Sequence, residues 1–155
     1  MKQQIENING DHMYKLTKIG ANGEALPDDA EGHEVVRIER DILARPLFVT
    51  AQRSPERMTW ADAKKWAEGL TINGWSWRLP TVEEAFMIPD RSRAEYPAVD
   101  PKFFPDCDGE WIWTSTEDAQ PPAGYAWYVY LAIGGSYRYD VGYHARVRAV
   151  RAGQF

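Results

Sequence analysis

The chain has 155 residues and a net charge of −5, with 44% hydrophobic and 26% charged residues. Such values are typical of one globular domain with a sizeable core. Because no basic stripe accompanies the acidic balance, we expect no nucleic-acid partner. The polar start of the chain, MKQQIENINGDHMYK, has no apolar run, so we expect no signal peptide, no membrane insertion and synthesis in the bacterial cytoplasm.

The N-terminal third predicts three strands and one loop. Residues 1–11 are polar and are expected to fray or to serve a contact. Weak alternation at 12–20 predicts a strand, and the Gly, Pro, Asn and Asp residues of 21–32 predict a loop. Residues 33–41 and 45–52 predict two further strands.

A helix is predicted after Thr59, which can cap it together with Asp62 in a variant of the capping box. Apolar residues follow at helical spacing and form one stripe: Trp60, Ala63, Ala67 and Leu70. Gly69 and Gly74 allow this helix to end.

The segment WSWRLPT leads into a second, shorter helix. Trp75 and Trp77 stand at strand spacing, so both rings should face one side and serve as core anchors. Thr81 and Glu84 form the T-x-x-E pattern of a full capping box. Pro89 is expected to end the helix.

A long irregular segment rich in Pro, Asp and Arg follows at 89–110. A loop of this length in a compact domain is expected to cover or bind something. The strand predicted at 110–117 carries Trp111 and Trp113 on one side. Residues 145–153 close the chain.

Two aromatic segments, 125–133 and 137–143, predict a hairpin. A two-residue Gly134-Gly135 turn would place charges on its apolar face, whereas a three-residue loop that ends at Ser136 brings apolar residues together. The predicted pairs are Ile133 with Tyr137, Leu131 with Tyr139, Val129 with Val141 and Trp127 with Tyr143.

The opposite face of this hairpin then carries four residues: Tyr128, Tyr130, Arg138 and Asp140. Two tyrosines beside an arginine and an aspartate are typical of an adaptable binding surface. The same pattern also fits a solvated sheet face with an ordinary cross-strand ion pair, or a face buried against a partner subunit. The sequence alone does not distinguish these three interpretations.

The sequence DCDGE offers the oxygen ligands of Asp106, Asp108 and Glu110 at alternate positions. It lacks the length of a calcium loop, so we expect a solvated acidic turn and no bound metal. Neighbouring acids should raise the pKa of Cys107 and weaken it as a nucleophile. Ser115 lacks a G-x-S-x-G context, and no cofactor fingerprint occurs. The histidines are scattered: His12, His33 and His144.

Five motifs occur in order: MTWADAKKWAEGL, GWSWRLPTVEEAF, WIWTSTE, YAWYVYLAIGG and VRAVR. Over residues 46–151 this order resembles the bacterial and phage domain-of-unknown-function family 1566, which is similar to the C-terminal domain of a collagen-like adhesin. The resemblance implies an α+β, C-type-lectin-like fold, in which two helices flank small antiparallel sheets and the N- and C-terminal strands pair. It also implies a structural hinge at WSWRLPT, with Arg78 tied to backbone carbonyls or a carboxylate. The implied structural residues are Trp75, Trp77, Arg78 and Trp113.

The chain departs from other proteins of that fold. The E-P-N, Q-P-D and W-N-D elements of calcium-dependent lectins are absent. The formylglycine-generating enzyme depends on a pair of cysteines, whereas this chain has Cys107 alone. We therefore expect neither calcium-dependent sugar binding by that route nor that enzymatic activity, and no cofactor.

These observations predict a non-catalytic recognition module of a phage tail or surface adhesin, located on the virion, that binds a host-surface glycan or protein. The predicted ligand-binding residues are Tyr128, Tyr130, Arg138, Asp140, Arg91 and Arg93. The alternative is a structural virion subunit (tail, baseplate or capsid decoration) that contacts other virion proteins or forms a homo-oligomer. An intracellular role against host defence is compatible with the missing signal peptide and the acidic charge, but no positive feature supports it. Residues 46–155 would form the lectin-like domain, and residues 1–45 an N-terminal unit for oligomerisation or attachment.

Overall fold

The computed structural model describes residues 13–152, which form two antiparallel sheets and two short helices. The first sheet has the order β1-β2-β3-β7, with β1 at Tyr14–Ile19, β2 at Val35–Arg40, β3 at Leu47–Thr50 and β7 at Val150–Ala152. The second has the order β4-β5-β6, with β4 at Trp111–Glu117, β5 at Tyr125–Tyr130 and β6 at Gly135–Asp140. The helices are α1 (Trp60–Glu68) and α2 (Val82–Ala85), with a 3₁₀ turn at Ile72–Gly74. Neither helix in this described range is long and apolar enough to cross a membrane.

The three N-terminal strands are confirmed, because β1, β2 and β3 fall within the predicted segments. Apolar side chains on β2 and β3 meet across the sheet. Val36 pairs with Val49 and Ile38 with Leu47, and all four side chains are buried. This packing fixes the register, since a slip of one residue would turn the apolar set to the opposite face.

Helix α1 is confirmed, and its start follows from its cap. The Thr59 side chain accepts a hydrogen bond from the backbone N–H of Asp62 at 3.4 Å. Ala63 and Ala67 of the predicted stripe are fully buried, so small side chains let the helix approach the sheet closely. The helix ends at Gly69, whose N–H bonds back to carbonyls of the last turn.

Helix α2 has the predicted capping box in full. The Thr81 hydroxyl accepts from Glu84 N at 3.1 Å, and Glu84 Oε1 accepts from Thr81 N at 2.9 Å. Arg78 donates to both oxygens of the same carboxylate, at 2.6 and 2.8 Å. Burial alone would raise the pKa of Glu84, but the bonds from Arg78 and Thr81 hold it below its ordinary value.

The predicted α+β, C-type-lectin-like fold is wrong. Within residues 13–152, strand and bridge residues make up about 30% and helical residues only about 12%. The capping box starts a helix that lasts four residues, because tight turns follow it before Pro89. The expected pairing of the N- and C-terminal strands holds within the predicted domain 46–155, where the first strand, β3, pairs with the last, β7. β1, which precedes that domain, lies at the opposite edge of the first sheet.

The predicted hairpin exists between β5 and β6, but its three-residue loop is wrong. Four residues, 131–134, make the turn, and the Gly134 N–H donates to the Tyr130 carbonyl at 2.7 Å. Tyr130 therefore pairs with Gly135, and Tyr128 pairs with Tyr137. Gly134 has a φ of 84°, a left-handed conformation that favours glycine.

Leu131 explains this register physically. Its backbone N–H donates to the Glu110 carbonyl at 2.9 Å, and its own carbonyl accepts from Ala98 at 3.0 Å. The fully buried side chain is therefore held between β5 and the segment 89–110. Local alternation cannot indicate this, because the competing partner of Leu131 lies far away in sequence.

The second sheet has buried residues on both faces. One face packs against the first sheet, and this cluster includes Val36, Val49, Ile112, Val129 and Leu131. The other face packs partly against α1, and this cluster includes Ala63, Ala67, Trp113, Tyr128 and Ala145. The predicted domain boundary at residue 45 falls between β2 and β3, which are neighbours in one sheet. The expectation that residues 1–11 fray or serve a contact lies outside the described residues.

Candidate functional site

Five aromatic rings stand in series on the face of the second sheet that packs partly against α1. We call them the aromatic ladder: Tyr130, Trp111, Tyr128, Tyr139 and Tyr143. Successive ring centroids are 4.0, 4.3, 4.6 and 4.7 Å apart. The first three contacts are stacked and the last is edge-on. Such pairs add stability beyond the area they bury, so the ladder is a rigid element.

Side-chain alternation on three strands builds the ladder. Trp111 of β4 pairs directly with Tyr130 of β5, and Tyr128 pairs with Tyr137 of β6. Paired residues in antiparallel strands point to the same face, so alternate residues of the three strands bring Trp111, Tyr128, Tyr130 and Tyr139 together on it.

The middle of the ladder is covered. Tyr128 is only 8% exposed, and the neighbouring Trp113 is fully buried, with its indole N–H donating to the Met58 carbonyl at 2.9 Å. Burial raises the pKa of Tyr128. These rings therefore belong to the core and offer little surface to a ligand.

Both ends of the ladder reach the surface, with Tyr143 54% exposed at one end, but among residues 13–152 only the Tyr130 end is joined by further exposed aromatic side chains. We call this surface the open end: Tyr96, Trp111, Tyr130 and Tyr137, together with Ile133 in the adjoining β5–β6 turn. Tyr96 is 64% exposed, Ile133 59% and Tyr137 49%. Tyr137 meets Trp111 edge-on at 5.5 Å, and interaction with the Tyr130 hydroxyl raises the pKa of Tyr96. The open end thus combines apolar rings with several hydroxyl groups, a composition typical of recognition surfaces.

A glycine lets Tyr96 approach the ladder. Gly109 has a φ of 82°, and a Cβ atom there would lie 2.9 Å from both the Tyr96 hydroxyl and the Ala132 Cβ. Any larger residue would push Tyr96 away and strain the backbone. The irregular segment 89–110 therefore supplies one ring of the open end and the space that this ring needs.

The structure does not bring the four predicted hairpin residues together. Tyr130 lies at the open end and Tyr128 lies in the core. Arg138 and Asp140 project from the opposite face, because they pair with Trp127 and Tyr125. The Arg138 guanidinium is 2.9 Å from the Asp118 carboxylate, and Asp140 accepts from the Gly142 N–H at 2.8 Å.

The two arginines predicted from the 89–110 segment are held by local partners. Arg91 donates to the Gly134 carbonyl at 2.7 Å, which places it beside the open end, and burial lowers its pKa. Arg93 donates to the Pro97 carbonyl at 3.2 Å and lies 3.6 Å from the Glu95 carboxylate.

Sequence reasoning missed Tyr96, Trp111 and Tyr137 as site residues. A signal for two of them was present, since the alternating aromatics of β4 and β6 match those of β5. The incorrect hairpin register hid this match. No pattern around Tyr96 indicates its place, because the irregular segment that carries it is positioned by tertiary contacts.

The acidic segment 106–110 is not a solvated turn. Arg148 is fully buried and contacts Asp106 at 2.8 Å and Glu110 at 2.9 Å. Arg53 contacts Asp108 at 2.7 Å and lies 3.8 Å from Glu110. Burial lowers the pKa of Arg148, but the two carboxylates outweigh it and raise the value overall. Two arginines thus occupy the oxygens that a cation would need.

No group of three His, Cys, Asp or Glu side chains suited to a metal ion occurs within residues 13–152. Cys107 is a free thiol, and burial, followed by Glu110, raises its pKa to about 12. This confirms the predicted direction. His33 contacts the Phe103 carbonyl at 2.8 Å through Nε2, His144 is exposed, and His12 lies outside the described residues.

The WSWRLPT segment packs at the edge of the core. Trp77 is buried and its indole N–H donates to the Ile72 carbonyl at 3.0 Å. Trp75 lies 5.9 Å from Trp77 and meets Phe48 edge-on at 5.0 Å. Both rings therefore lie on one side of the segment, and Arg78 is fixed by its carboxylate pair.

The family model described as the Lcl C-terminal domain matches residues 39–151, which is well over half of the chain. No curated protein matches the chain. The matched range contains β3 to β6, both helices and every residue of the open end.

Proposed function

The chain belongs to the Lcl C-terminal domain family, and on that premise we propose that it is a non-catalytic recognition module of the adhesin type. Lcl itself is a collagen-like adhesin. The module would bind a glycan or a protein on the surface of a host cell. The open end of the aromatic ladder is the proposed binding site.

One observation carries this proposal: large aromatic side chains stay exposed on a rigid support. Tyr96 and Tyr137 are both about half exposed or more, although each is anchored to a ring beneath it. Anchored rings lose little conformational entropy on binding, and tyrosine hydroxyls can donate and accept hydrogen bonds. Arg91 lies beside them and could take an acidic group of the ligand.

We expect the double substitution Tyr96→Ala and Tyr137→Ala to weaken binding to host cells or to an array of surface glycans at least tenfold. Both rings are at the surface, so the variant should stay folded. Ile42→Ala is the matched control, since Ile42 is 74% exposed on the turn between β2 and β3. If the folded double variant binds as tightly as the original protein, the open end is not the binding site.

A structural virion subunit is the second proposal, and the same exposed rings support it. Apolar and aromatic side chains at a surface suit a permanent subunit contact as well as a transient ligand. Light scattering after size exclusion distinguishes the two, because a closed oligomer that the double variant breaks favours a subunit contact. Location on the virion, and phage or prophage origin, stay proposals that mass spectrometry of purified particles would test.

A further inference from the structure

A cleft of about 430 Å³ opens beside α1 and shares no lining residue with the aromatic ladder. One wall is apolar and consists of Trp66, Leu70 and Ile72. The facing wall is polar and includes Glu34, Gln52, Arg53 and Asp106. The volume lies within the range of small-ligand sites, and the two unlike walls suit an amphipathic ligand.

Trp66 is the largest apolar group in the cleft, and it is half-buried where it packs against the core beneath α1. The indole N–H groups of Trp60, Trp77 and Trp113 each donate to a backbone carbonyl. Within residues 13–152 no such bond holds the half-buried Trp66, and no other ring or cation contacts its indole. Part of this side chain is therefore available to a ligand.

The charges of the polar wall and of the ion network that adjoins it favour a cation. Arg53 and Arg148 face three carboxylates, those of Asp106, Asp108 and Glu110, which leaves one negative charge in excess. The exposed Glu34 carboxylate adds another, and no described residue forms an ion pair with it. Arg53 is already bonded to Asp108 at 2.7 Å, so an anionic ligand would have to compete for it.

We propose that the cleft binds an ammonium group on an apolar stem, supplied by a free amine or by a lysine side chain of a partner protein. The stem packs on Trp66 and Leu70, where removal from water stabilises the complex. The ammonium lies between the Trp66 ring and the Glu34 carboxylate, so cation–π attraction and charge pairing act together.

The probe is phenethylammonium, compared with phenylacetate and 2-phenylethanol, which keep the ring and change the charge. Nuclear magnetic resonance follows the Trp66 indole N–H signal, which Trp66→Phe identifies. We expect saturable shifts with phenethylammonium and much weaker binding of the other two compounds. Equal binding of phenylacetate, or shifts confined to the aromatic ladder, would overturn the proposal.

Two substitutions test the roles of the named residues. Glu34→Gln should weaken phenethylammonium binding about fivefold, because one exposed charge pair is lost. Trp66→Leu should weaken it about tenfold. Glu83→Gln, an exposed carboxylate on α2, is the matched control and should change nothing. An unchanged affinity in folded Glu34→Gln would contradict the proposed site.

Peptide probes distinguish the two sources of the ammonium group. Binding of acetyl-Gly-Lys-Gly-amide, with loss of binding when the lysine is acetylated, assigns the cleft to a partner's lysine. Binding of the free amine alone assigns it to a small molecule, and binding of neither overturns the proposal. The Tyr96→Ala and Tyr137→Ala variant should bind amines normally, so this test is separate from that of the open end.

Discussion

Replacing Arg148 with methionine is expected to lower the free energy of unfolding by about 3–5 kcal/mol. The side chain is fully buried and contacts Asp106, Glu110 and the Ala51 carbonyl at 2.7–2.9 Å. Without it, the nearly buried Glu110 carboxylate loses its closest partner, and leaving such a buried polar group without a partner is costly. Urea unfolding measures the loss, which is a large share of the stability of a typical domain.

The control is Arg57→Met, since Arg57 is exposed, and it should change stability by less than about 0.5 kcal/mol. Adding Glu110→Gln to Arg148→Met should recover at least about 1 kcal/mol, because the unpaired charge is then removed as well. If Arg148→Met and Arg57→Met lower the free energy of unfolding by the same amount, the buried ion network does not hold the segment 106–110 in place.

Replacing Tyr128 with alanine is expected to cost about 3 kcal/mol of stability. The ring stacks between Trp111 at 4.3 Å and Tyr139 at 4.6 Å, and its deletion leaves a cavity in the middle of the ladder. Thermal or urea unfolding measures the effect. Loss of ligand binding by this variant would follow from unfolding and would not identify Tyr128 as a contact residue.

Tyr137→Ala provides the comparison, because Tyr137 pairs with Tyr128 in the sheet but is 49% exposed. Its loss should cost less than about 1 kcal/mol. The difference between the two tyrosines depends directly on the β5–β6 register. Similar costs for both substitutions would contradict that register and the burial that follows from it.

The sequence predicted those helix starts and strands that depend on residues close together in the chain. The capping box of Thr81 and Glu84, and the cap at Thr59, depend on residues three apart, and both are present. Alternation also located β1, β2 and β3. The assembly of these elements into two sheets is set by long-range pairs such as β3 with β7, which no local pattern encodes.

The candidate site was predictable only in part. Alternation indicated that β5 carries tyrosines on one face, but the burial of Tyr128 depends on packing against α1 and residues near Ala145. The four-residue turn placed Arg138 and Asp140 on the other face. Tyr96 reaches the open end through a segment without regular structure. These three outcomes depend on tertiary contacts, which explains why the sequence indicated Tyr130 but not its neighbours.

The role of the acidic segment 106–110 also depends on tertiary contacts that a local sequence pattern does not indicate. Three acids at alternate positions fit a cation site or a solvated turn equally well from sequence alone. Their partners, Arg53 and Arg148, lie more than 35 positions away in opposite directions along the chain. Pairing over such separations depends on how the sheets pack, so the terminal VRAVR motif is understood as structural only once the fold is known.

Mapping of a bound ligand tests the recognition proposal most directly. A glycan or protein fragment selected on the array is titrated into the labelled chain, and backbone amide shifts are followed by nuclear magnetic resonance. We predict that the largest shifts fall at Tyr96, Ile133 and Tyr137, with smaller ones at Trp111 and Tyr130. Shifts confined to the first sheet, with the open end unchanged at saturation, would contradict the account.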